Sequence, residues 1–240
     1  MPALAFYLDA PMQSWGASSK YQYRETESFP TKSAIIGLVA AALGVDKHDS
    51  GEAEKIAPLT ALRLTAVKLE KIHNTSRLMD FHTVGGGYDK SASIRDKMSI
   101  PKKASGAPFG TVITRRSYLT DSSFAAILEG DNDILLDIQK ALKNPVWGVW
   151  FGRKTCLPAT PLTPIIADSS EKALEALIAK LPGYEPKPLE QYEYQKECES
   201  SNTGDGTFYQ SDQPIAYGQH HGPVPTAYRA RPIYHHRPSQ

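Results

Sequence analysis

"FPTKSAIIGLVAAALG", residues 29–44, is the stretch whose reading decides the fold. Thr31, Lys32 and Ser33 stand directly before an unbroken apolar run over 34–43. Pro30 precedes the run, Thr31 or Ser33 can cap it, and Gly44 sits where a C′ glycine ends a helix. The small residues Ala34, Gly37, Ala40, Ala41 and Ala42 let such a helix lie close against a sheet. Two uses of its start remain open. The unpaired N–H groups of a helix N-terminus, joined by two hydroxyls and the Lys32 charge, suit a single phosphate. The same residues also suit an ordinary capped core helix. A nucleotide-binding P-loop is not present, because Glu27-Ser28-Phe29-Pro30 stands where a glycine arch would be.

Working outward, "ALAFYLDA" reads as a first strand that ends at a turn near Ala10-Pro11. "TALRLTAVKLE" carries Leu62, Leu64, Ala66 and Leu69 in near alternation, with Val67 out of step, and predicts a half-buried strand. Residues 71–110 lack sustained apolar periodicity and hold Gly85-Gly86-Gly87, Pro101, Gly106 and Pro108. A stretch of that length without a core pattern is usually functional. "TVITRRSYLTDSSFAAILEG" reads as two strands or one long one with a turn near Asp121. "DILLDIQKALKNP" is an amphipathic helix with Ile134, Leu135, Ile138 and Leu142 on one face. Later, "EKALEALIAKL" reads as a helix and "EQYEYQKECES" as an edge strand, while the last thirty residues resist assignment. This order predicts an α+β, ferredoxin-like antiparallel sheet with helices on one side.

A charged fraction of 22% against 40% hydrophobic residues suits a globular chain rather than a disordered one. No apolar run approaches the ~18–20 residues needed to span a bilayer. The N-terminus lacks a basic n-region, so no signal peptide is expected. Cys156 and Cys198 form neither a disulfide framework nor a metal knuckle, and a reduced, cytosolic location is the default. The net charge of +1 conceals an asymmetry. Residues 61–118 hold eleven basic residues, among them Arg115 and Arg116, against four acids, an excess of seven positive charges that attracts polyanions.

Three further constellations bear on chemistry. In "DFHTVGGGYDK", His82 stands beside Thr83, with Tyr88 beyond the glycines. A set of His82, Tyr88 and Lys102 or Lys103 has the acid–base groups for metal-free RNA cleavage. A hydrogen-bonding or stacking role for His82 is the alternative. Aromatic and basic residues interleave in "SWGASSKYQYR", which contains Arg24, and in "VWGVWFGRK", which ends at Arg153-Lys154. That mixture suits single-stranded RNA, with bases on rings and phosphates on cations, although Trp147, Trp150 and Phe151 also suit a core. The pairs His220-His221 and His235-His236 have no zinc-type spacing around them, so no metal site or cofactor is expected.

"APMQSWG", "FPTKSAIIGLVAAALG", "DFHTV" and "FGRKTC", in that order and at this spacing, resemble the Cas-five family of CRISPR-associated proteins, in its type I-E Cascade branch within the RAMP superfamily. The resemblance covers about residues 3–165. It implies an RRM-like domain over 1–160, with a long basic β-hairpin thumb at about 73–111. A smaller β-rich extension over 161–240 would pack on the same body. It implies a non-catalytic RNA-binding role: capping the 5′ handle of crRNA, with Met12, Gln13, Trp15, Thr31, Lys32 and Ser33 in the matching motifs. The implied neighbours are a backbone subunit of the Cas-seven family and the large PAM-reading subunit, with target DNA met through the complex. The thumb would interrupt guide–target pairing. A type I-C sibling processes precursor crRNA, which makes a metal-independent endoribonuclease the alternative.

Overall fold

The computed structural model describes residues 1–17, 22–69, 76–84, 111–199, 205–218 and 228–238. Its spine is the 18-residue strand β5 (Val112–Glu129). On one side β5 pairs antiparallel with β1 (Ala3–Gln13) and then, further out, parallel with the two-residue β2 (Tyr23–Arg24). On the other side it pairs with β3 (Arg63–Leu69) and then β4 (Ser76–Val84). One long strand is therefore found where two were an option, and Asp121 sits within it at φ +51° rather than in a reversal.

β1 does not stop at Pro11. Tyr7 N–H donates to the Leu162 carbonyl and the Asp9 carbonyl accepts from Ala159, both on the side away from β5. Pro11, two residues on, turns its missing N–H to that side, beyond the reach of the short β6 (Ile165–Ala167), which pairs only with Ala3–Ala5. Proline costs no ladder bond there.

The expectation of helices on one side of the sheet is corrected. Leu4, Phe6 and Leu8 of β1, with Phe124, Ala126 and Leu128 of β5, face α1 (Lys32–Leu43) and α3 (Asn132–Lys143). The alternate residues Ala3, Ala5, Tyr7, Ala125 and Ile127 face α4 (Ser170–Ile178) through Ala173, Leu174 and Leu177. With both faces covered, β3 is buried on both sides as well, and Val67, out of step in the sequence, packs under α4's layer. Small Ala3 and Ala5 leave room for that helix. Each fully buried leucine contributes roughly 1.5–3 kcal/mol.

α1 begins and ends as its sequence demands. Thr31 Oγ1 accepts from Ala34 N–H, and Gly44 adopts φ +75° while the N–H groups of Gly44 and Val45 close on Ala41 and Ala40. α2 (Glu52–Ala61) was not visible in the sequence, since Pro58 interrupts its pattern.

The C-terminal strands extend the same sheet. β7 (Tyr194–Glu197) lies between β3 and β9 (Tyr228–His236), so it is interior rather than an edge. β8 (Thr207–Pro214) closes that end. No helix among the described residues is long and apolar enough to cross a membrane.

Candidate nucleic-acid interface

The first motif turns inward. Gln13 is fully buried; its amide donates to the carbonyls of Leu8 (3.2 Å) and Ser122 (2.7 Å), and its oxygen accepts from the Trp15 indole at 3.1 Å. Trp15 is fully buried against Phe151, with ring centroids 5.8 Å apart. Met12 is half-buried on the same core. Ser14 N–H donates to the Phe151 carbonyl at 3.1 Å. Next to it Gly152, at φ +89°, approaches so closely that a Cβ would lie 1.7 Å from the Ser14 carbonyl oxygen. Thus "MQSW" and "FGRK", far apart in sequence, lock together, and their side chains place the loop that follows.

The helix start is not a free anion seat. Asp212 Oδ2 accepts from Lys32 N–H at 2.7 Å, so the positive end of α1 already holds a resident carboxylate. The Lys32 ammonium is buried and grips Glu197 at 2.8 and 3.0 Å. Arg231 makes a two-point contact with Asp212 at 2.6 and 2.9 Å and lies 3.8 Å from Glu197. Burial pulls the Lys32 pKa down and Glu197 pushes it back up. Two cations and two carboxylates close the cluster, which ties α1 to β7, β8 and β9. Thr31 is spent on capping. Ser33 Oγ lies 3.3 Å from Thr31 Oγ1, and its carbonyl accepts from Tyr217. The Lys32 donors and the Thr31 hydroxyl are thus engaged by partners within the protein, while Ser33 also lines the groove between α1 and the 147–154 loop.

Exposed charge gathers elsewhere. A groove of about 870 Å³ runs between α1 and the 147–154 loop, lined by Arg24, Lys47, Trp147, Trp150, Arg153 and Lys154 among others. Arg153 is held in place: Nη1 donates to the Ser117 carbonyl (3.0 Å), Nη2 to the Arg24 carbonyl (2.7 Å), and the guanidinium lies 4.6 Å from the Tyr118 ring centroid. The Lys154 ammonium stands 5.7 Å over the Trp150 ring. In the strand register Arg24, Arg116 and Tyr118 share one face of the β2–β5–β4 ribbon, so Arg116 continues the basic path.

Arg115 faces the other way, between the rings of Tyr23 (5.3 Å) and Phe81 (5.5 Å). His82 is half-buried on β4, its Nδ1 without a hydrogen-bond partner among the described residues, and Thr83 is exposed. Neither lines the groove. Tyr88, Lys102 and Lys103 lie outside the described residues.

The structure therefore brings Arg24, Arg153 and Lys154 into one groove, sets Arg116 beside Arg24 in the strand register, and turns Lys32 inward. Sequence reasoning missed Lys47, His48 and Tyr217 on the groove's far bank. Only the run of charges at Asp46-Lys47-His48 hinted at them, and nothing local marks Tyr217.

The groove carries the acids Glu25, Asp46 and Glu52 beside Arg24, Lys47, Arg153 and Lys154, and comparison with known proteins identifies the class of protein to which this sheet belongs. Residues 3–230 match the family described as CRISPR-associated protein (Cas_Cas5), and the chain belongs to that family. The CRISPR system Cascade subunit CasD of Escherichia coli (strain K12) is 26% identical over 165 residues, spanning 66% of this chain and 68% of that one. A chain of a CRISPR RNA-guided surveillance complex aligns with a TM-score of 0.72 at 26% identity, covering 97% of this chain and 88% of the other. A crystal structure of a Cas protein aligns at 0.61 and 26%, covering 97% and 93%.

Proposed function

We propose that this chain is a non-catalytic RNA-binding subunit of a type I-E CRISPR Cascade complex. In this reading it caps the 5′ handle of crRNA and joins the Cas-seven backbone subunit to the large subunit. The β4–β5 ribbon serves as the root of a thumb that interrupts guide–target pairing. The body comprises residues 1–160, and the strands after residue 161 brace it. One observation carries the assignment of the RNA path. Arg153 is fixed by two carbonyls and a ring at the mouth of a groove that also holds Arg24 and Lys154. A guanidinium oriented in advance loses little freedom when it meets a phosphate.

Photocrosslinking tests it. A crRNA carrying photoreactive nucleotides in its 5′ handle, copurified with the full chain, is expected to label peptides containing Arg24 and residues 147–154. Labels confined to the α4 side of the sheet would contradict this path. The endoribonuclease alternative rests on His82 with Tyr88 and Lys102 or Lys103, of which all but His82 lie outside the described residues; specific cleavage of repeat RNA by the pure protein in EDTA, lost in His82→Ala, would favour it.

A further inference from the structure

We infer that the groove contains a nucleobase-stacking site built on Trp147 and Trp150, distinct in chemistry from the cations that meet phosphates. The inference rests on the groove being the RNA path. Among the three aromatics of "VWGVWF", the structure separates the roles. Phe151 is fully buried, Trp150 is half-buried beneath Lys154, and Trp147 is 43% exposed. An exposed indole on a mobile turn would mean little. This one is held: Val146 N–H donates to the Ala42 carbonyl at 2.9 Å and Trp147 N–H to the Ala41 carbonyl at 3.3 Å, at the closing turn of α1. Val146 packs where a Cβ on Gly44 would collide with it, which fixes the loop's approach to the helix.

Gly148 completes the arrangement. A Cβ there would press on the Trp150 ring at 3.3 Å, so glycine lets that ring lie close under the backbone between the two indoles. Trp147, Trp150, Arg153 and Lys154 thus line one groove from a single short loop. A ring with open surface on a backbone-anchored loop, next to the Arg153 and Lys154 cations, matches a single strand of RNA, whose bases turn out from the phosphates and stack on any flat partner. A duplex, with its bases already stacked, offers no such face. The site takes an unpaired base and is tolerant of its identity, because every base has a π-face.

Stacking and phosphate contact separate experimentally. The probe is a single-stranded ten-nucleotide RNA, compared with the same length carrying abasic sites, titrated against full-length protein across a salt series. Wild type is expected to prefer the base-bearing strand. Trp147→Ala is expected to lose roughly 5- to 150-fold in affinity for it, the range of one stacked base. Its log–log salt slope should match wild type, and its binding to the abasic strand should not change. Trp147→Phe restores most of the affinity. Base-bearing affinity unchanged in Trp147→Ala, with its thermal melt intact, overturns the stacking site. If the Arg153→Ala/Lys154→Ala double variant binds as wild type does, the underlying reading of the groove fails instead.

Discussion

Asp212 accepts a hydrogen bond from the backbone N–H of Lys32 at 2.7 Å, which places a carboxylate of the protein itself at the start of α1. The helix dipole meets a carboxylate of the protein itself, delivered by β8, and the Lys32 side chain turns inward to Glu197. Through Lys32, the "FPTKS" motif fastens the C-terminal strands to the body.

Lys32→Ala is accordingly a stability variant. It leaves Glu197 with the Leu64 N–H at 3.3 Å and Arg231 at 3.8 Å but without its closest cation, and breaking such a pair costs on the order of 3 kcal/mol. Chemical denaturation should show a lowered midpoint with an unchanged m-value, while Lys32→Arg retains part of the loss.

Gly152→Ala introduces a Cβ against the Ser14 carbonyl at a φ that L side chains rarely adopt. The loop must shift, taking Arg153 from its carbonyl partners. The expected outcome is a lower melting temperature together with weaker RNA binding, read by thermal denaturation and by filter binding on the same preparation. Gly183→Ala, where nothing lies within 4 Å of the added carbon, is the control at positive φ.

Arg153→Lys preserves charge but loses the planar fork that reaches two carbonyls and stacks on Tyr118. Affinity for crRNA should fall several-fold while the salt slope stays near wild type. Isothermal titration across a salt series distinguishes this from simple loss of a cation.

Glu193 gives a pH signature. Burial favours its neutral form, yet the Lys68 ammonium (3.2 Å) and the His235 ring (3.0 Å) outweigh burial and hold the carboxyl below its usual value. A depressed folded pKa contributes stability that is present above about 4.5 and lost as pH falls through the folded value. Glu193→Gln should therefore flatten the acid limb of a stability-versus-pH curve, with little change in shape above pH 6.

How much of this was legible depended on how local each signal was. α1 could be bounded within a residue or two because its cap and its glycine sit at its own ends. α4 was found as a helix, but its face was not, since the alanines that admit it lie on β1, far away in sequence. β8 and β9 escaped because Pro214 ends the one, Pro232 interrupts the other, and three residues of each are exposed. The groove was half visible. Arg153-Lys154 announced itself beside aromatics, whereas the fate of Lys32 was decided by Glu197, 165 residues onward, which no local reading reaches.

The central claim is that RNA phosphates meet Arg24, Arg116, Arg153 and Lys154, and that Lys32 does not touch them. The salt dependence of crRNA-handle binding tests it most directly. About four contacts on single-stranded RNA give a log–log slope near −2.8, and each lost contact removes about 0.7. The account predicts that Arg153→Ala/Lys154→Ala flattens the slope to roughly −1.4, while Lys32→Ala, assayed where it remains folded, keeps the wild-type slope. A slope flattened by Lys32→Ala and unmoved by the double variant would contradict the account.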